Sequence, residues 1–221
     1  MKRIKRDWFT WIIILAPFVF ALVNWDKFPD RIATHFNIKG EPDDYSSKTF
    51  ALILFPSINI ILYALFLVLP FLDPRKKNYA LFEDKWRIIR TVLHAFLSFI
   101  TLATFFFALG YKVDIGMYAC YGITVLMLVF GNYLGNIRPN WFIGIRLPWT
   151  LENETVWVMT HRFAGRLWVT CSLLMLPVYW FFPQMPWLLM PYIFFITLAP
   201  MIYSYIKYKQ MMKGNNSAHD H

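Results

Sequence analysis

Six long apolar runs, at about residues 8–24, 50–72, 88–110, 115–135, 167–182 and 187–206, constrain this chain more than any other feature. They help bring its 221 residues to 58% apolar. Soluble domains run about 45–50%, so the excess must be buried somewhere other than a globular core. At about 1.5 Å per helical residue, Phe50 to Leu72 would reach roughly 34 Å, enough for a hydrocarbon core about 30 Å thick. The expected fold is all-α: a polytopic membrane protein of about six transmembrane helices. The fifth run is short and is interrupted by Pro177.

The net charge of +9 would suggest nucleic acid in a soluble protein, but its distribution follows the runs. Segments 1–7, 73–90, 136–166 and 207–221 hold 17 of the 22 basic residues, and the alternate segments hold only Lys27, Arg31, Lys39, Lys48 and Lys112. That alternation is the positive-inside pattern and places both termini in the cytoplasm. The basic surplus thus reads as topology and attraction to anionic membrane lipid, with no direct nucleic-acid contact. Lys2-Arg3-Ile4-Lys5-Arg6 before an apolar run imitates a secretory signal. Without a convincing small-residue cleavage site it reads as a retained anchor. Cys120 and Cys171 both fall inside expected spans, as apolar fillers rather than a disulfide framework.

Three units are expected. Residues 1–72 form a two-span unit with an outer loop at 25–49, residues 73–206 a four-span core with a cytoplasmic block at 136–168, and residues 207–221 a disordered cytoplasmic tail. The outer loop has turn grammar and one extended piece at Arg31–Ile38. Phe82 to Arg90 reads as an amphipathic lead-in to the third span, with Trp86 at headgroup level. Pro17, Pro56, Pro177, Pro191 and Pro200 would kink or loosen their spans. Asn59, His94 and Asn132 are the polar residues inside spans, and structural roles lead for them. Gly131 and Gly135 have the spacing of a close helix–helix contact.

Residues 136–168 are unusual for a cytoplasmic loop. Trp141, Trp149, Trp157 and Trp168 stand among Arg138, Arg146, Arg162 and Arg166, and no Lys occurs from Val113 to Ile206. Arginine offers a planar fork of donors and stacks on aromatic rings, whereas lysine is a mobile point charge. Pro139 and Pro148 exclude a continuous helix, Gly144 frees a turn, and Thr150 can cap a new helix. On that helix Trp157, His161, Gly165 and Trp168 share one face. The block reads either as an interfacial belt orienting two spans or as a platform for a cytoplasmic partner or lipid headgroups. In the outer loop, His35, Asp43 and Asp44 match no established metal spacing, and a turn around Asn37–Gly40 with His35 as a hydrogen-bonding peg is favoured. No catalytic triad, phosphate-binding glycine loop or zinc pattern is present, so neither an enzyme nor a cofactor is expected.

Two segments carry a resemblance. The outer one runs from Pro29 to Lys48 through His35-Phe36-Asn37, Gly40, Pro42-Asp43 and Tyr45. The inner one runs from Gly131 to Thr150, followed by Val156-Trp157 and Thr160-His161-Arg162. Together they resemble the SdpI-like family, bacterial membrane proteins named for immunity to a sporulation-delaying killing toxin. The outer segment resembles the small N-terminal domain of unknown function that opens many members, with Ala33 where that motif usually has a second Pro. The resemblance implies a multi-pass protein of the bacterial plasma membrane that protects against a secreted apolar toxin peptide. It further implies signalling, by holding a transcriptional repressor at the inner face. The outer contacts would be His35, Phe36, Asn37, Gly40, Asp43 and Tyr45. The inner partner or lipid contacts would be Arg138, Asn140, Trp141, Arg146, Trp149, Trp157, His161 and Arg162. A small transporter or exporter and a structural membrane subunit are the rival readings.

Overall fold

The computed structural model describes residues 6–37 and 40–219. The charged start at residues 2–5, residues 38 and 39 of the outer turn, and the last two residues lie outside the described residues. Helix α1 spans Trp8–Val23 and is followed by a hairpin of β1, Arg31–Phe36, and β2, Pro42–Ser47. Then come α2 (Lys48–Leu72), α3 (Glu83–Ala108), α4 (Ile115–Leu134), the short α5 (Pro148–Glu152), α6 (Glu154–Phe181) and α7 (Leu189–His219). Single 3-10 turns stand at Trp25–Lys27, Lys76–Leu81 and Pro186–Leu188.

The architecture is that of an all-α membrane protein. Among the described residues four helices are long and apolar enough to cross a bilayer: α2, α3, α4 and the stretch Pro186–Lys213 within and just before α7. Helix α1 is apolar but has 16 residues, about 24 Å at 1.5 Å each. Helix α6 has 28 residues, but polar side chains such as Thr160, His161, Arg162 and Arg166 crowd its first half, so its apolar part begins near Leu167. Many apolar side chains face outward, among them Ile61, Leu72, Leu174, Trp180 and Phe194. Lipid is the solvent that suits such a surface.

Local chemistry sets the helix starts. Ser47, Asp114 and Asn153 accept hydrogen bonds from Phe50, Met117 and Val156 at the first turns of α2, α4 and α6, satisfying orphan backbone donors. Pro191, expected to loosen its span, sits in the first turn of α7, where its missing N–H removes no intrahelical bond. Threonines 101, 104 and 124 return their hydroxyls to carbonyls one turn back, so they need no partner across the bundle.

Helix α4 runs against α6 where glycines face each other. A methyl on Gly165 would lie 2.7 Å from the Gly131 carbonyl, and one on Gly131 would lie 2.8 Å from Trp168 Cβ. Neither distance is tolerable, so the expected close contact is real. Three expectations change. The extended piece in the outer loop is a full antiparallel hairpin, with Ala33 opposite Tyr45 and Arg31 opposite Ser47. Trp86 is not at headgroup level but 7% exposed in the inner core, beside Tyr79, Phe82, Leu134 and Trp157. Residues 207–219 continue α7 as helix where disorder was expected.

Candidate functional sites

The hairpin is seated on the outer ends of the first helices. Ile32 joins Phe28, Ala21, Leu52 and Phe105 in one apolar cluster, and Ala33 beside it is buried as well. Lys48 ties the base down, its backbone N–H on the Asp30 carbonyl and its ammonium over the Trp25 ring. At the tip, Asn37 Oδ1 accepts from the Glu41 N–H and the Asn37 carbonyl accepts from Gly40, the side-chain-to-backbone turn expected there. Gly40 has φ +78° and packs on Gly116 at the start of α4.

His35 pairs through Nδ1 with Asp43 Oδ1 across the two strands. Asp44 turns to its neighbour's N–H at Tyr45, so the three candidate metal ligands do not converge. Among the described residues no group of three His, Cys, Asp or Glu side chains could hold an ion. Phe36 is half-buried, edge-on to Phe107 of α3, while Tyr45 is 42% exposed. Beside the tip, Gly40, Asp114 and Met117 face Pro183 and Trp187 across a groove of about 380 Å³. The outer face thus combines parts of both halves of the chain.

The inner block is an ordered loop rather than a loose connector. Asn140, fully buried, is its hub. Its Oδ1 accepts from the N–H groups of Phe142 and Ile143, and its Nδ2 donates to the carbonyls of Arg138 and Ile143. Buried Asp73, just past α2, accepts from the Trp141 N–H at 2.9 Å and from the Tyr79 hydroxyl, which also reaches Asn140. Burial, with the charge of Asp73 beside it, pushes the Tyr79 phenol well up, so it stays a donor. Asn78 donates to the Pro139 carbonyl and Arg75 to that of Leu151. The 73–82 and 136–152 segments are therefore one unit. Only the second of them stands out in the sequence, because Asp73 finds Trp141 as a partner only once the chain is folded.

The floor of the loop is on α6. Trp157 is fully buried, stacked on His161 with ring centroids 4.1 Å apart, and donates to the Ile137 carbonyl. His161 Nδ1–H donates to the Trp157 carbonyl, which leaves Nε2 to accept from the Ile145 N–H at 3.0 Å. Both ring nitrogens are committed to backbone, and the imidazole must be neutral for this geometry. Burial lowers its pKa to about 4, against a weaker upward pull from the Trp157 carbonyl. A free histidine titrates near 6.5, so the unfolded chain takes up the proton first. The stability His161 supplies is complete above about pH 6.5 and is lost as pH falls towards 4, by up to about 3 kcal/mol. In detergent, the unfolding temperature should drop between pH 7 and 4.5, and His161→Gln should flatten that slope while lowering stability at pH 7. Parallel slopes for the two proteins would contradict the assignment.

The structure separates the eight inner residues into three groups. Asn140, Trp157 and His161 are inside the scaffold and touch no partner. Arg138, Trp141, Arg146 and Arg162 are exposed, and Arg146 donates to the Trp141 carbonyl. Trp149 is half-buried, its indole N–H on Ser204 Oγ and its ring beside Tyr205 of α7. Arg162 and Arg166 share a flank with Asn132. Helix α6 is capped by Asn153 rather than Thr150, whose hydroxyl instead accepts from the Leu147 N–H.

A second polar cluster lies within the helices. Asp7, 3% exposed, accepts from Arg90 at 3.1 Å and from the Tyr63 hydroxyl. One turn further along α3, His94 bonds Asn59, which also donates to Ser98. In the sequence Arg90 reads as the end of an amphipathic lead-in and Asp7 draws no notice, so the pair is not foreseen. Only their opposite signs near two helix starts hinted at it.

These features define a class: a polytopic α-helical membrane protein with a docked hairpin at one end and a hydrogen-bonded arginine–tryptophan loop at the other. Residues 136–204 match the SdpI/YfhL protein family, and residues 12–60 match a domain of unknown function, DUF1648. The two matches take in the hairpin with its flanking helices and the inner loop with the helices after it, which are the segments that carry the resemblance in the sequence. It is similar to the immunity protein SdpI of Bacillus subtilis (strain 168), 26% identical over 213 residues, which are 96% of this chain and 99% of the relative. No solved structure is significantly similar.

Proposed function

We propose that this chain is a non-catalytic immunity protein of a bacterial plasma membrane, protecting the cell against a secreted membrane-active peptide. The observation that carries this reading is the end-to-end likeness to a protein named for immunity, which takes in both the hairpin and the inner loop. In this reading α1 and the apolar half of α6 also cross the bilayer. Six spans result, with both termini cytoplasmic. The hairpin then faces outward, and His35, Phe36, Asn37, Gly40, Asp43 and Tyr45 meet the peptide at the mouth of the bundle. Arg138, Trp141, Arg146 and Arg162 face the cytoplasm, where they contact anionic lipid or hold a transcriptional repressor. Signalling requires that the peptide prefer one arrangement of the bundle, since a ligand shifts only an equilibrium it distinguishes. The two ends share α3 and α4, which touch the hairpin and frame the inner core.

Transport fits less well. Asn59 and His94 bond each other, while Asn132 lies on the far flank of α4 beside Arg162. They do not make one polar path.

The test is deletion and re-expression in cells challenged with a purified killing peptide. Survival should track expression. Phe36→Ala with Tyr45→Ala should cost at least tenfold in protection at unchanged protein abundance. Undiminished protection would remove the hairpin from the mechanism.

A further inference from the structure

Between α4 and α6 runs an open groove of about 450 Å³. Its floor is largely backbone, supplied by Gly131, Gly135 and Gly165. Its rim is polar: Arg162, Arg166, Asn132 and Thr170, all exposed. Among the described residues none of these four side chains has a hydrogen-bonding or ionic partner. Other polar side chains at this depth in the helices are satisfied. Thr101, Thr104 and Thr124 bond their own helices, and Asn59 bonds Ser98. A methyl on Gly135, just past the end of α4, would lie 3.5 Å from Arg162 Cγ, so Arg162 stands at the groove's inner mouth. Arg166 is one turn, about 6 Å, further along α6. Beyond it the same flanks turn apolar. Leu173, seven residues after Arg166, is 55% exposed, and Val125, seven residues before Asn132, is 43% exposed. Seven residues bring a helix back to almost the same face. The groove therefore leads from two unpaired positive charges to hydrocarbon.

We propose that this groove seats the headgroup of one anionic glycerophospholipid, its phosphodiester between Arg162 and Arg166 and its chains over Leu173 and Val125. A guanidinium fork matches phosphate oxygens two at a time. Basic pockets between membrane helices on the cytoplasmic side recognise anionic headgroups in this way. Asn132 and Thr170 can donate to the glycerol ester carbonyls next to the phosphate. A cytoplasmic peptide suits the groove less well, because its apolar end lies where lipid is the solvent. The volume is near the small end of ligand pockets, roughly 300–1,000 Å³, which suits a headgroup whose chains stay in the bilayer. The inference rests on the transmembrane placing of α6 in the proposed reading, and a failure of immunity would leave it standing.

The experiment titrates the full chain, purified in a non-ionic detergent, with dioleoyl phosphatidylglycerol or dioleoyl phosphatidylcholine, and counts bound lipid by native mass spectrometry. One phosphatidylglycerol should bind at least about tenfold more tightly than phosphatidylcholine, since each arginine near a lipid surface contributes about 1 kcal/mol. Arg162→Met with Arg166→Met should remove that preference, and Asn132→Leu should weaken it. Lys76→Met with Lys77→Met takes the same charge from exposed side chains elsewhere and should leave the preference intact. Glycerol phosphate at millimolar concentration should not displace the lipid. Equal binding of the two lipids would leave the groove to a protein partner and overturn the proposal. Equal losses in the two double variants would overturn it too, as diffuse charge, and displacement by glycerol phosphate would do so as a site for free phosphate.

Discussion

Replacing Gly144 with Ala should strip the protein of most of its folded stability, for a change of one methyl group. Gly144 has φ +107°, a backbone conformation that side chains rarely adopt, and an added Cβ would collide with His161 Nε2. The conformational part costs about 1–3 kcal/mol. The collision adds to it, because His161 cannot retreat without releasing the Ile145 N–H, and a buried donor left unmet costs about 1–3 kcal/mol more. Gly110 separates the two effects. It has φ +88° but nothing within 4 Å of where its Cβ would be, so Gly110→Ala should show the conformational cost alone. Thermal unfolding in detergent should rank native, then Gly110→Ala, then Gly144→Ala with a clear further loss. Equal losses at the two glycines would mean that His161 does not brace the inner loop.

Arg90→Leu should be worse than losing both members of its ion pair. Asp7 and Arg90 sit 3.1 Å apart with almost no exposure, and Tyr63 adds its hydroxyl to the same carboxylate. Removing the arginine leaves a buried charge uncompensated, a loss of about 3–5 kcal/mol. Exchanging both partners for uncharged ones avoids that penalty, so Asp7→Asn with Arg90→Met should recover most of the folded protein. A double variant as depleted as Arg90→Leu would show that packing, not charge pairing, decides the site. The pair joins the start of α1 to α3, reinforced by Arg6 on Asp84 at 2.6 Å.

Much of this was legible in the residues, for physical reasons. Apolar runs long enough for a bilayer became helices, because in lipid each must satisfy its own backbone. The face made by Trp157, His161, Gly165 and Trp168 followed from helical spacing. Asn37 and Gly40 announced a turn. The misses share a cause, dependence on partners distant in the chain. Strand β2 is Pro-Asp-Asp-Tyr-Ser-Ser, poor in strand-forming residues, and it exists because β1 is held in place beside it. Asn140 gave no sign that it would be a hub 61 residues away from Tyr79. Thr150 was as good a cap by type as Asn153. Which one served depended on where the loop left its donors.

The orientation of the two ends supports everything else, and thiol labelling of intact cells tests it. In a background with Cys120→Ala and Cys171→Ala, a membrane-impermeant maleimide should label Tyr45→Cys in intact cells. It should label Arg146→Cys only after the membrane is opened. Labelling of Arg146→Cys from outside, with Tyr45→Cys protected, would invert the protein and contradict the account.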